Sequence, residues 1–388
     1  MHFAVIGIAA LSLFIWLRIF FFNGHFWQIW ISDADNKLTV APPSWPRVFA
    51  IVPARNEAET IAEAVTSLAT QDYPGEFSVF IVDDHSEDGT AELARKAVGD
   101  AGAADRVRVI SAPELDAGWT GKLWALQAGV EAAAESSPEF YWFTDADIVH
   151  APETLRVLVS RAECNRLDLA SLMVSLQAQS FPEKLIIPAF LYFFLMLYPP
   201  RWIENAKSRT AGAAGGCILL RSSALVRIGG LATIRNEVID DCSLARAVKR
   251  SGGAIWMGLT RRTQSLRRYE GFGELRDMIA RTAFTQLNYS VLQLSGTLLG
   301  LAVTFLAPVA LALHADAKVW LPALLAWCLM SASYLPTVVF YRLSPIWSPF
   351  LPVAAVFYLF ATWLSALRYW LGGGGQWKGR SQAPHSHA

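Results

Sequence analysis

This chain of 388 residues has no excess of charge of either sign, because 33 Lys and Arg balance 33 Asp and Glu. Nucleic-acid-binding proteins usually carry a basic excess, so the balance gives no reason to expect a nucleic-acid partner. Charge of either sign is also scarce, at 17% of residues against 53% hydrophobic ones. This composition favours a protein that meets apolar surroundings over part of its length.

The chain also lacks several motifs that mark large protein classes. No CxxC pair occurs among its four cysteines, which argues against a zinc site or a disulfide framework and fits a reducing compartment. No GxGxxG loop and no GxxxxGK[ST] loop is present. A dinucleotide-dependent oxidoreductase and a P-loop nucleotidase are therefore both poor fits.

Four long apolar runs are present, at 3–22, 291–313, 319–341 and 350–371. Each is long enough to span a bilayer as a helix, where internal prolines are tolerated. No basic segment precedes the first run and no small-residue cleavage site follows it, so residues 1–24 predict a retained anchor rather than a signal peptide. The other runs predict three transmembrane helices within 290–371. The alternative is one large buried helical core.

The region between the first run and the other three carries basic residues that can orient a membrane protein. Arg201 and Arg268 are among them, and they weakly favour the cytoplasmic face of a bacterial inner membrane. The glycine-rich tail, 372–388, predicts a flexible linker, although its Lys378 and Arg380 favour the opposite orientation. The two histidines of the tail are expected to be solvated rather than to bind metal.

Strands and helices alternate through this central region. Apolar runs of strand length at 47–53, 78–84 and 107–111, and the run FYWF before TDAD, are separated by segments with helical spacing. The alternation predicts an α/β fold with a mainly parallel sheet. Three polar segments, PARNE, DDHSEDGT and TDAD, each follow a strand. We expect them to meet at the carboxyl edge of the sheet, where such sheets bind ligands.

Asp145 and Asp147 end the fourth apolar run. On an extended segment, the i and i+2 positions point both carboxylates the same way, and two like charges held side by side repel. A divalent cation between them would remove the repulsion, since hard metals take oxygen ligands. The alternative is that Asp147 only caps the following helix.

Five segments in a fixed order carry a resemblance to a known family: VPARNEAETI, VDDHSEDGT, GKLWALQAG, TDADIVHAPETL and VIDDCSLARAVKRSGG. They resemble the motifs of family 2 glycosyltransferases with the GT-A fold, over about residues 47–285. The sequence GWTGKLWA and the trailing apolar runs look most like the hopene-associated glycosyltransferases of bacterial hopanoid clusters. The resemblance implies a Rossmann-like domain that binds nucleotide sugars, with an N-terminal membrane anchor and C-terminal transmembrane helices.

The resemblance implies that one group of residues binds the nucleoside of the donor. A loop would wrap the nucleoside, and Asp84 would hydrogen-bond the base with Asp83 beside it; the loop consists of Pro53, Ala54, Arg55, Asn56 and Glu57. The alternative for the second segment is a helix start, with Ser86 or Asp88 as N-cap. That alternative does not explain Asp83 and Asp84.

Asp145 and Asp147 match the DxD motif of the family, which implies that they hold Mg²⁺ or Mn²⁺. The metal would neutralise the charge that grows on the nucleoside diphosphate leaving group. Lys122 would reach the donor phosphates or nucleoside, and a plain solvated lysine is the alternative. His150 is expected to be a loop residue rather than a further ligand.

The segment VIDDCSLARAVKRSGG predicts a helix that an acid pair opens and Gly252 terminates. The resemblance makes Asp241 the general base on the acceptor hydroxyl, because an inverting transfer needs one such base. Asp240 is the second candidate and stands where the family usually has Glu. The alternative is that one of these acids caps the helix.

The QxxRW motif of processive polysaccharide synthases is not intact, since only Arg281 remains of it at 278–282. Its loss argues for a single transfer to a small or lipid acceptor. Arg281 would meet the diphosphate, or it would be an interfacial arginine beside the membrane.

A further apolar run at 181–202 contains prolines and is too short between Lys184 and Arg201 to predict a span. It is expected to be an interfacial helix that gathers a lipid acceptor. A buried core helix is the alternative. In the interfacial arrangement, the residues among the lipid headgroups would be Phe190, Tyr192, Phe193, Phe194 and Leu195.

Together these features predict a membrane-bound, metal-dependent, inverting glycosyltransferase. It would move one sugar from a nucleotide donor, a UDP-sugar rather than a GDP-sugar, to a lipid hydroxyl such as that of a hopanoid. One alternative is a polyprenyl-phosphate acceptor, which needs no general base. The other is a non-catalytic binding protein of a lipid-synthesis complex, against which the intact acid pairs argue.

Overall fold

The computed structural model describes residues 2–29 and 41–372, and the backbone of 376–377 and 380–381. The chain divides into two compact units. The sheet unit comprises the described residues of 41–176, 202–267 and 376–381, and the helical unit comprises those of 2–29, 177–201 and 268–372. The predicted globular domain, 47–285, therefore differs from the observed sheet unit, which ends at Arg267 and does not include 177–201.

Eight strands form the sheet of the sheet unit, in the order β3-β2-β1-β4-β7-β6-β8-β5. The strands are β1 Val48–Ala54, β2 Phe77–Asp83, β3 Val107–Ser111, β4 Phe140–Phe143, β5 Ile148–His150, β6 Leu169–Ser175, β7 Ile218–Arg221 and β8 Ile255–Ser265. In the tail, β9 Gln376–Trp377 pairs antiparallel with β10 Arg380–Ser381. The rest of the predicted flexible tail, beyond Gly372, lies outside the described residues.

The helices alternate with these strands in the first half of the chain and follow one another in the last third. Their bounds are α1 His2–Phe22, α2 Ile61–Ala69, α3 Thr90–Asp100, α4 Gly121–Ala134, α5 Thr154–Cys164, α6 Phe181–Leu197, α7 Pro200–Glu204, α8 Ser222–Arg227, α9 Asp240–Arg250, α10 Phe272–Ala280, α11 Ala283–Gln286, α12 Val291–Leu301, α13 Ala307–Ala312, α14 Ala317–Phe340 and α15 Leu351–Trp370. One π-helical turn, Ala302–Leu306, joins α12 to α13.

The first four strands confirm the predicted parallel arrangement. β1 lies between β2 and β4 and runs parallel to both, and β3 runs parallel to β2. All seven residues of β1 are buried, as expected for a central strand covered on both faces. β7 departs from the parallel pattern, because it pairs antiparallel with β4 and with β6. Its reversal brings the turn before it to the carboxyl end of β4.

Gly129 allows α4 to lie close against the middle of the sheet. A Cβ atom at this position would be 2.3 Å from Cγ2 of Ile51 and 3.1 Å from Cγ2 of Val82. Both of those side chains are fully buried in the sheet. Because a packed core has little free volume, a side chain here would push α4 away from the strands.

In the helical unit, a proline and a tryptophan account for the π-helical turn. Pro308 has no backbone N–H, so it leaves the carbonyl of Thr304, four residues earlier, without its helical donor. The indole Nε1 of Trp16 on α1 donates to that carbonyl at 2.7 Å. Trp16 is fully buried, and its hydrogen bond holds α1 against the π-helical turn. In apolar surroundings the Thr304 carbonyl would otherwise have no donor, because water is absent there.

The interfacial interpretation of 181–202 is wrong for three of the five side chains on which it was based. Tyr192 is 0% exposed, Phe193 8% and Leu195 1% within the helical unit. The Tyr192 hydroxyl is 2.7 Å from Oγ of Ser333 on α14, and the Phe193 ring contacts that of Phe305 edge-on. The buried alternative therefore holds for these residues, while Phe190 and Phe194 are half-buried.

A buried carboxylate fixes the start of α6. Ser180 and Glu183 form a capping box, in which each side chain accepts from the backbone N–H of the other residue. The Glu183 carboxylate also accepts from the N–H groups of Gln179 and Tyr269, at 2.9 and 2.8 Å. Its charge is therefore satisfied by backbone donors, although only 2% of the residue is exposed.

Five helices among the described residues are long and apolar enough to cross a membrane. Four correspond to the predicted spans, and the fifth is Phe181–Glu204, which includes α6. Chain connectivity separates this fifth helix from the others. It lies between β6 and β7, which are hydrogen-bonded neighbours with Leu169 opposite Leu220. The segment between β6 and β7, which contains α6, therefore begins and ends close together.

The packing of α4 can be tested with two helical glycines. Gly129→Ala should destabilise the protein by about 1–3 kcal/mol, because the added methyl group overfills the interface with β1. Gly99→Ala in α3 is the matched control, since nothing lies within 4 Å of a Cβ there. It should stabilise by about 0.5–1 kcal/mol through helix propensity alone. The measurement is the denaturation midpoint in detergent, and effects of the same sign would contradict this packing.

Candidate active site

The two aspartates of the DxD segment lie in a turn and not on an extended strand. β4 ends at Phe143, and Ile148 N–H donates to the carbonyl of Asp145 at 3.2 Å, which closes a turn before β5. The expectation that an extended backbone points both carboxylates the same way is therefore wrong. The turn gives the two side chains different partners on different elements.

Asp145 faces Lys122. Nζ of Lys122 is 2.9 Å from Oδ1 of Asp145 and 3.3 Å from Oδ2 of Asp240. Burial alone would lower the pKa of this ammonium, but the charges of Asp145, Asp240 and Asp241 raise that pKa well above its ordinary value. The solvated-lysine alternative is thus wrong, because only 19% of the Lys122 side chain is exposed and it joins two acidic segments.

Asp240 and Asp241 open α9, as predicted, yet neither is its N-cap. The N-cap position is Ile239, and no side chain caps the helix. Asp241 instead accepts two backbone hydrogen bonds, from Gly215 N–H to Oδ2 at 2.9 Å and from Cys242 N–H to Oδ1 at 2.7 Å. Burial and the neighbouring charge of Asp240 raise its pKa to about 6, against the opposing effect of Lys122.

Gly215 leaves the space in which these charged groups meet. A Cβ at this position would be 3.2 Å from Nζ of Lys122 and 3.4 Å from Oδ2 of Asp241. Lys122, Asp145, Gly215, Asp240 and Asp241 all line one pocket of the sheet unit, and Pro53 at the end of β1 also lines it. The predicted donor side and the predicted acceptor side are therefore brought together.

Asp147 turns toward β8. Its Oδ2 accepts from Oγ of Ser265 at 2.7 Å, and its carbonyl accepts from Leu266 N–H at 2.8 Å. Burial, followed by the charge of Asp145, raises the pKa of the Asp147 carboxyl. No motif pointed to Ser265, because the two residues are 118 positions apart in the chain.

The acids fit the demands of Mg²⁺ or Mn²⁺ only in part. No group of three His, Cys, Asp or Glu side chains arranged to hold a metal occurs among the described residues. Such cations commonly use one or two carboxylates and take their remaining oxygens from water and substrate phosphates. The mutual repulsion of Asp145 and Asp147 is the kind of imbalance that a bound cation would relieve. The pair therefore fits a metal that arrives with a phosphate ligand.

The segments after β1 and β2 form a second group, held together by side chain to backbone bonds. Asn56 N–H donates to Oγ of Ser86 at 3.0 Å, and Glu57 N–H donates to Oγ1 of Thr90 at 2.8 Å. The Asn56 side chain accepts in return from Glu87 N–H. Asn56 has a φ of 51°, in the left-handed region that Asn tolerates better than most residues. The predicted nucleoside loop is thus locked to the next loop.

Asp84 is fully buried beside Arg55. The guanidinium donates to the carbonyl of Asp84 and lies 3.7 Å from its carboxylate Oδ2. Because 0% of Asp84 is exposed, its carboxylate is not presented to a nucleoside base in this conformation. Asp83 is 7% exposed, and its Oδ2 accepts from Ser86 N–H at 3.4 Å. The helix-cap alternative is not realised by Ser86 or Asp88, since α3 begins after Gly89.

His150 is a buried residue of β5 and not a loop residue. Its Nε2 is 2.8 Å from Oγ1 of Thr144, and that hydroxyl donates to the carbonyl of Gly216 at 2.8 Å. The hydroxyl has one proton, so it must accept from Nε2 of His150. Sequence reasoning missed this arrangement. The hydrogen bond from Thr144 to Gly216 joins the segment that leads into Asp145 to the turn that contains Gly215. The N–H of Gly215 in turn holds Asp241.

Arg281 belongs to the helical unit, where it is exposed at the C-terminal end of α10. Its predicted contact with a diphosphate remains a prediction.

Residues 49–229 match the family model described as glycosyl transferase family 2. These residues form a family 2 glycosyltransferase domain. A mannosyltransferase from Pyrobaculum calidifontis, solved with GDP-Man and Mn²⁺, has the same fold, with a TM-score of 0.58 at 20% identity over 94% of this chain and 99% of that one. The predicted fold class, a GT-A α/β domain with N-terminal and C-terminal apolar helices that could span a membrane, is confirmed.

Two curated relatives show similarity over part of their length. An N-acetylglucosaminyltransferase of Mesorhizobium japonicum is 26% identical over 195 residues, which cover 48% of this chain and 43% of the relative. A dodecaprenyl-phosphate galacturonate synthase of Rhizobium johnstonii is 32% identical over 121 residues, which cover 31% of this chain and 33% of the relative. The chain spans less than half the length of these relatives.

The buried His150 should make the stability of the protein sensitive to acid. Burial lowers its pKa to about 3, whereas the unfolded chain takes up the proton near pH 6.5. Stability is therefore fully present above about pH 6.5 and falls as the pH drops toward 3, by roughly 1.4 kcal/mol per pH unit. His150→Gln keeps a donor for Thr144 and does not titrate.

The measurement is the thermal midpoint of both proteins between pH 7.5 and 5. The wild type should lose more stability than His150→Gln over that interval, because the other titrating groups are shared and cancel. Parallel curves for the two proteins would contradict the neutral buried state of His150.

Proposed function

We propose that this protein is a membrane-bound, metal-dependent, inverting glycosyltransferase that transfers a single sugar from a nucleotide sugar to a lipid hydroxyl. The observation that carries the proposal is the Lys122 ammonium between Asp145 and Asp240, next to Asp241. Asp145 lies in the turn that follows β4 of the family 2 domain, on the donor side, and Asp241 is in the first turn of α9, on the acceptor side. One pocket thus offers charge compensation for a leaving diphosphate and a base for an incoming hydroxyl.

On the donor side, Asp145 and Asp147 would hold Mg²⁺ or Mn²⁺. When bound, the cation would neutralise charge on the leaving diphosphate. The Pyrobaculum mannosyltransferase was solved with GDP-Man and Mn²⁺, which supports a nucleotide sugar and a divalent metal as ligands of this chain. Pro53–Glu57 and Asp83 would contact the nucleoside, Asp84 would do so once the Arg55 loop opens, and Arg281 would contact the diphosphate. We keep the expectation of a UDP-sugar over a GDP-sugar.

On the acceptor side, Asp241 would act as the general base. Backbone N–H groups hold both of its oxygens, which orients the carboxylate without adding charge. With a pKa of about 6, it is largely ionised at neutral pH and able to take a proton. The acceptor oxygen forms a bond to the anomeric carbon, the bond from that carbon to the diphosphate oxygen breaks, and the hydroxyl proton moves to Asp241.

The acceptor is proposed to be a lipid that is bound near the membrane. Four helices, at His2–Phe22, Val291–Ala312, Ala317–Phe340 and Pro345–Trp370, would cross the bilayer. The sheet unit would face the cytoplasm of a bacterial cell, where nucleotide sugars are found. The narrower resemblance to hopene-associated enzymes makes a hopanoid alcohol the first acceptor to assay.

A polyprenyl phosphate is the second candidate acceptor. The observation that favours it is the similarity to a dodecaprenyl-phosphate galacturonate synthase, at 32% identity over 121 residues. A phosphate oxygen is already ionised at neutral pH, so transfer to it requires no general base. The two acceptors therefore make different demands on Asp241.

The metal role predicts that EDTA abolishes transfer and that added Mn²⁺ or Mg²⁺ restores it. Asp145→Ala or Asp147→Ala should lower kcat/KM by about 10²–10³, or roughly 3–4 kcal/mol of transition-state stabilisation. Asp100→Ala at the exposed end of α3 is the control and should leave transfer unchanged. The measurement is release of nucleoside diphosphate from UDP- and GDP-sugars. Full activity in EDTA would refute metal dependence.

Asp241→Asn separates the two acceptors. The amide has one acceptor oxygen in place of two, so it loses one of the bonds from Gly215 and Cys242, at a cost of about 1–3 kcal/mol that folding should survive. It cannot take a proton, and transfer to a lipid hydroxyl should fall by about 10²–10⁴. Nucleotide-sugar binding, measured by titration calorimetry, should change little.

Full activity of Asp241→Asn toward a polyprenyl phosphate would favour the second candidate. Equal loss of donor affinity and of folding stability would instead indicate a structural role for Asp241.

A further inference from the structure

The acidic pocket of the sheet unit is balanced by a residue of this chain. Asp145, Asp240 and Asp241 line the pocket together, and like charges at this spacing repel. Nζ of Lys122 lies within 3.3 Å of carboxylate oxygens of the first two and influences the third. The ammonium therefore already neutralises Asp145, the carboxylate that a bound metal cation would also neutralise.

Two features show that this position is built for the lysine. Lys122 is the second residue of α4, where the positive end of the helix dipole disfavours a cation. Its ammonium is also largely covered, and both costs are offset only by the carboxylates around it, which raise its pKa. Gly215 leaves the space, since a Cβ there would be 3.2 Å from Nζ.

We propose that Lys122 is a resident counter-ion that competes with the divalent metal for Asp145, so that metal binds tightly only together with a nucleoside diphosphate. The proposal rests on the proposed function. A diphosphate offers the ammonium an alternative anionic partner and offers the metal further oxygen ligands. The lysine can then leave Asp145 without becoming an unpaired buried charge. Metal and nucleotide binding are coupled through one side chain, and the coupling is reciprocal.

The same residue explains why Asp145 and Asp147 have different surroundings. Asp147 accepts a hydrogen bond from the hydroxyl of Ser265 and is also influenced by the charge of Arg267, whereas Asp145 directly contacts the Lys122 ammonium, which must be displaced. A free cation therefore meets, at Asp145, a carboxylate that Lys122 already occupies. A cation that carries a diphosphate supplies the group that draws Lys122 away.

The test measures Mn²⁺ affinity by titration calorimetry and electron paramagnetic resonance on the full chain in detergent, with neither sugar donor nor acceptor present. In the wild type, UDP or GDP should tighten Mn²⁺ binding by about tenfold or more. In Lys122→Met, Mn²⁺ alone should bind about tenfold or more tightly than in the wild type, and the nucleotide should add less. Lys96→Met, at an exposed position of α3, is the control for net charge and should behave as the wild type.

If Lys122→Met does not fold, Lys122→Gln replaces it, because the amide keeps polar contacts with the carboxylates while removing the charge. Wild-type Mn²⁺ binding that is equally tight with and without nucleotide overturns the counter-ion proposal and leaves the metal-dependent function intact. Unchanged Mn²⁺ affinity in the lysine variants also overturns it. Absence of Mn²⁺ binding to the wild type under all of these conditions overturns the proposed metal dependence as well.

Discussion

Repulsion among carboxylates is the constraint on which the pocket depends. Asp145, Asp240 and Asp241 approach one another at the carboxyl edge of the sheet, and Lys122 is the charge that holds two of them. The third is held by backbone N–H groups, which stabilise an anion without a second cation. Gly215 contributes to both interactions, because its N–H donates to Asp241 and the absence of a side chain leaves room for the Lys122 ammonium. Any bulkier residue at 215 would separate the charges that must balance.

The sheet topology supplies each of these groups from a different place in the chain. β4 ends beside the start of α4, and the antiparallel β7 returns the preceding Ala214–Cys217 turn to the same edge. The Thr144 hydroxyl then joins β4 to that turn by donating to Gly216, while His150 donates to the hydroxyl. These neutral, buried hydrogen bonds hold β4 and the turn in place and add no charge to the pocket. It fixes the distance between the residues proposed for the donor and the residue proposed as base.

Local patterns in the sequence predicted much of the fold and the membership of the site. β3 has the predicted bounds, α9 begins at the acid pair and ends before Gly252, and the DxD and DD segments do meet. The partners could not be predicted, because they are distant in the chain: Lys122 precedes Asp145 by 23 positions and Ser265 follows Asp147 by 118. The direction of the Asp147 side chain also depends on where β4 ends. If residues 144–147 are taken as an extended strand, both carboxylates are wrongly expected to point the same way. Burial of Asp84 was equally hidden, since it follows from Arg55 folding over the loop.

An apolar helix has the same sequence pattern whether lipid or protein surrounds it, so α6 could be assigned only from its contacts and its connections. Tyr192 bonds to Ser333 inside the helical unit, and β6 and β7 on either side of α6 pair with each other. The other four apolar helices have no such tether at both ends. Nε2 of His2 at the start of α1 lies 2.9 Å from a carboxylate oxygen of Asp316, the N-cap of α14, which places the starts of these two helices at one end of the unit. The π-helical turn held by Trp16 connects α12 and α13, which lead to that same end. The starts of α1 and α14 and the end of α13 thus lie together at one end of the helical unit, and α6 packs against α14 and α15 within that unit.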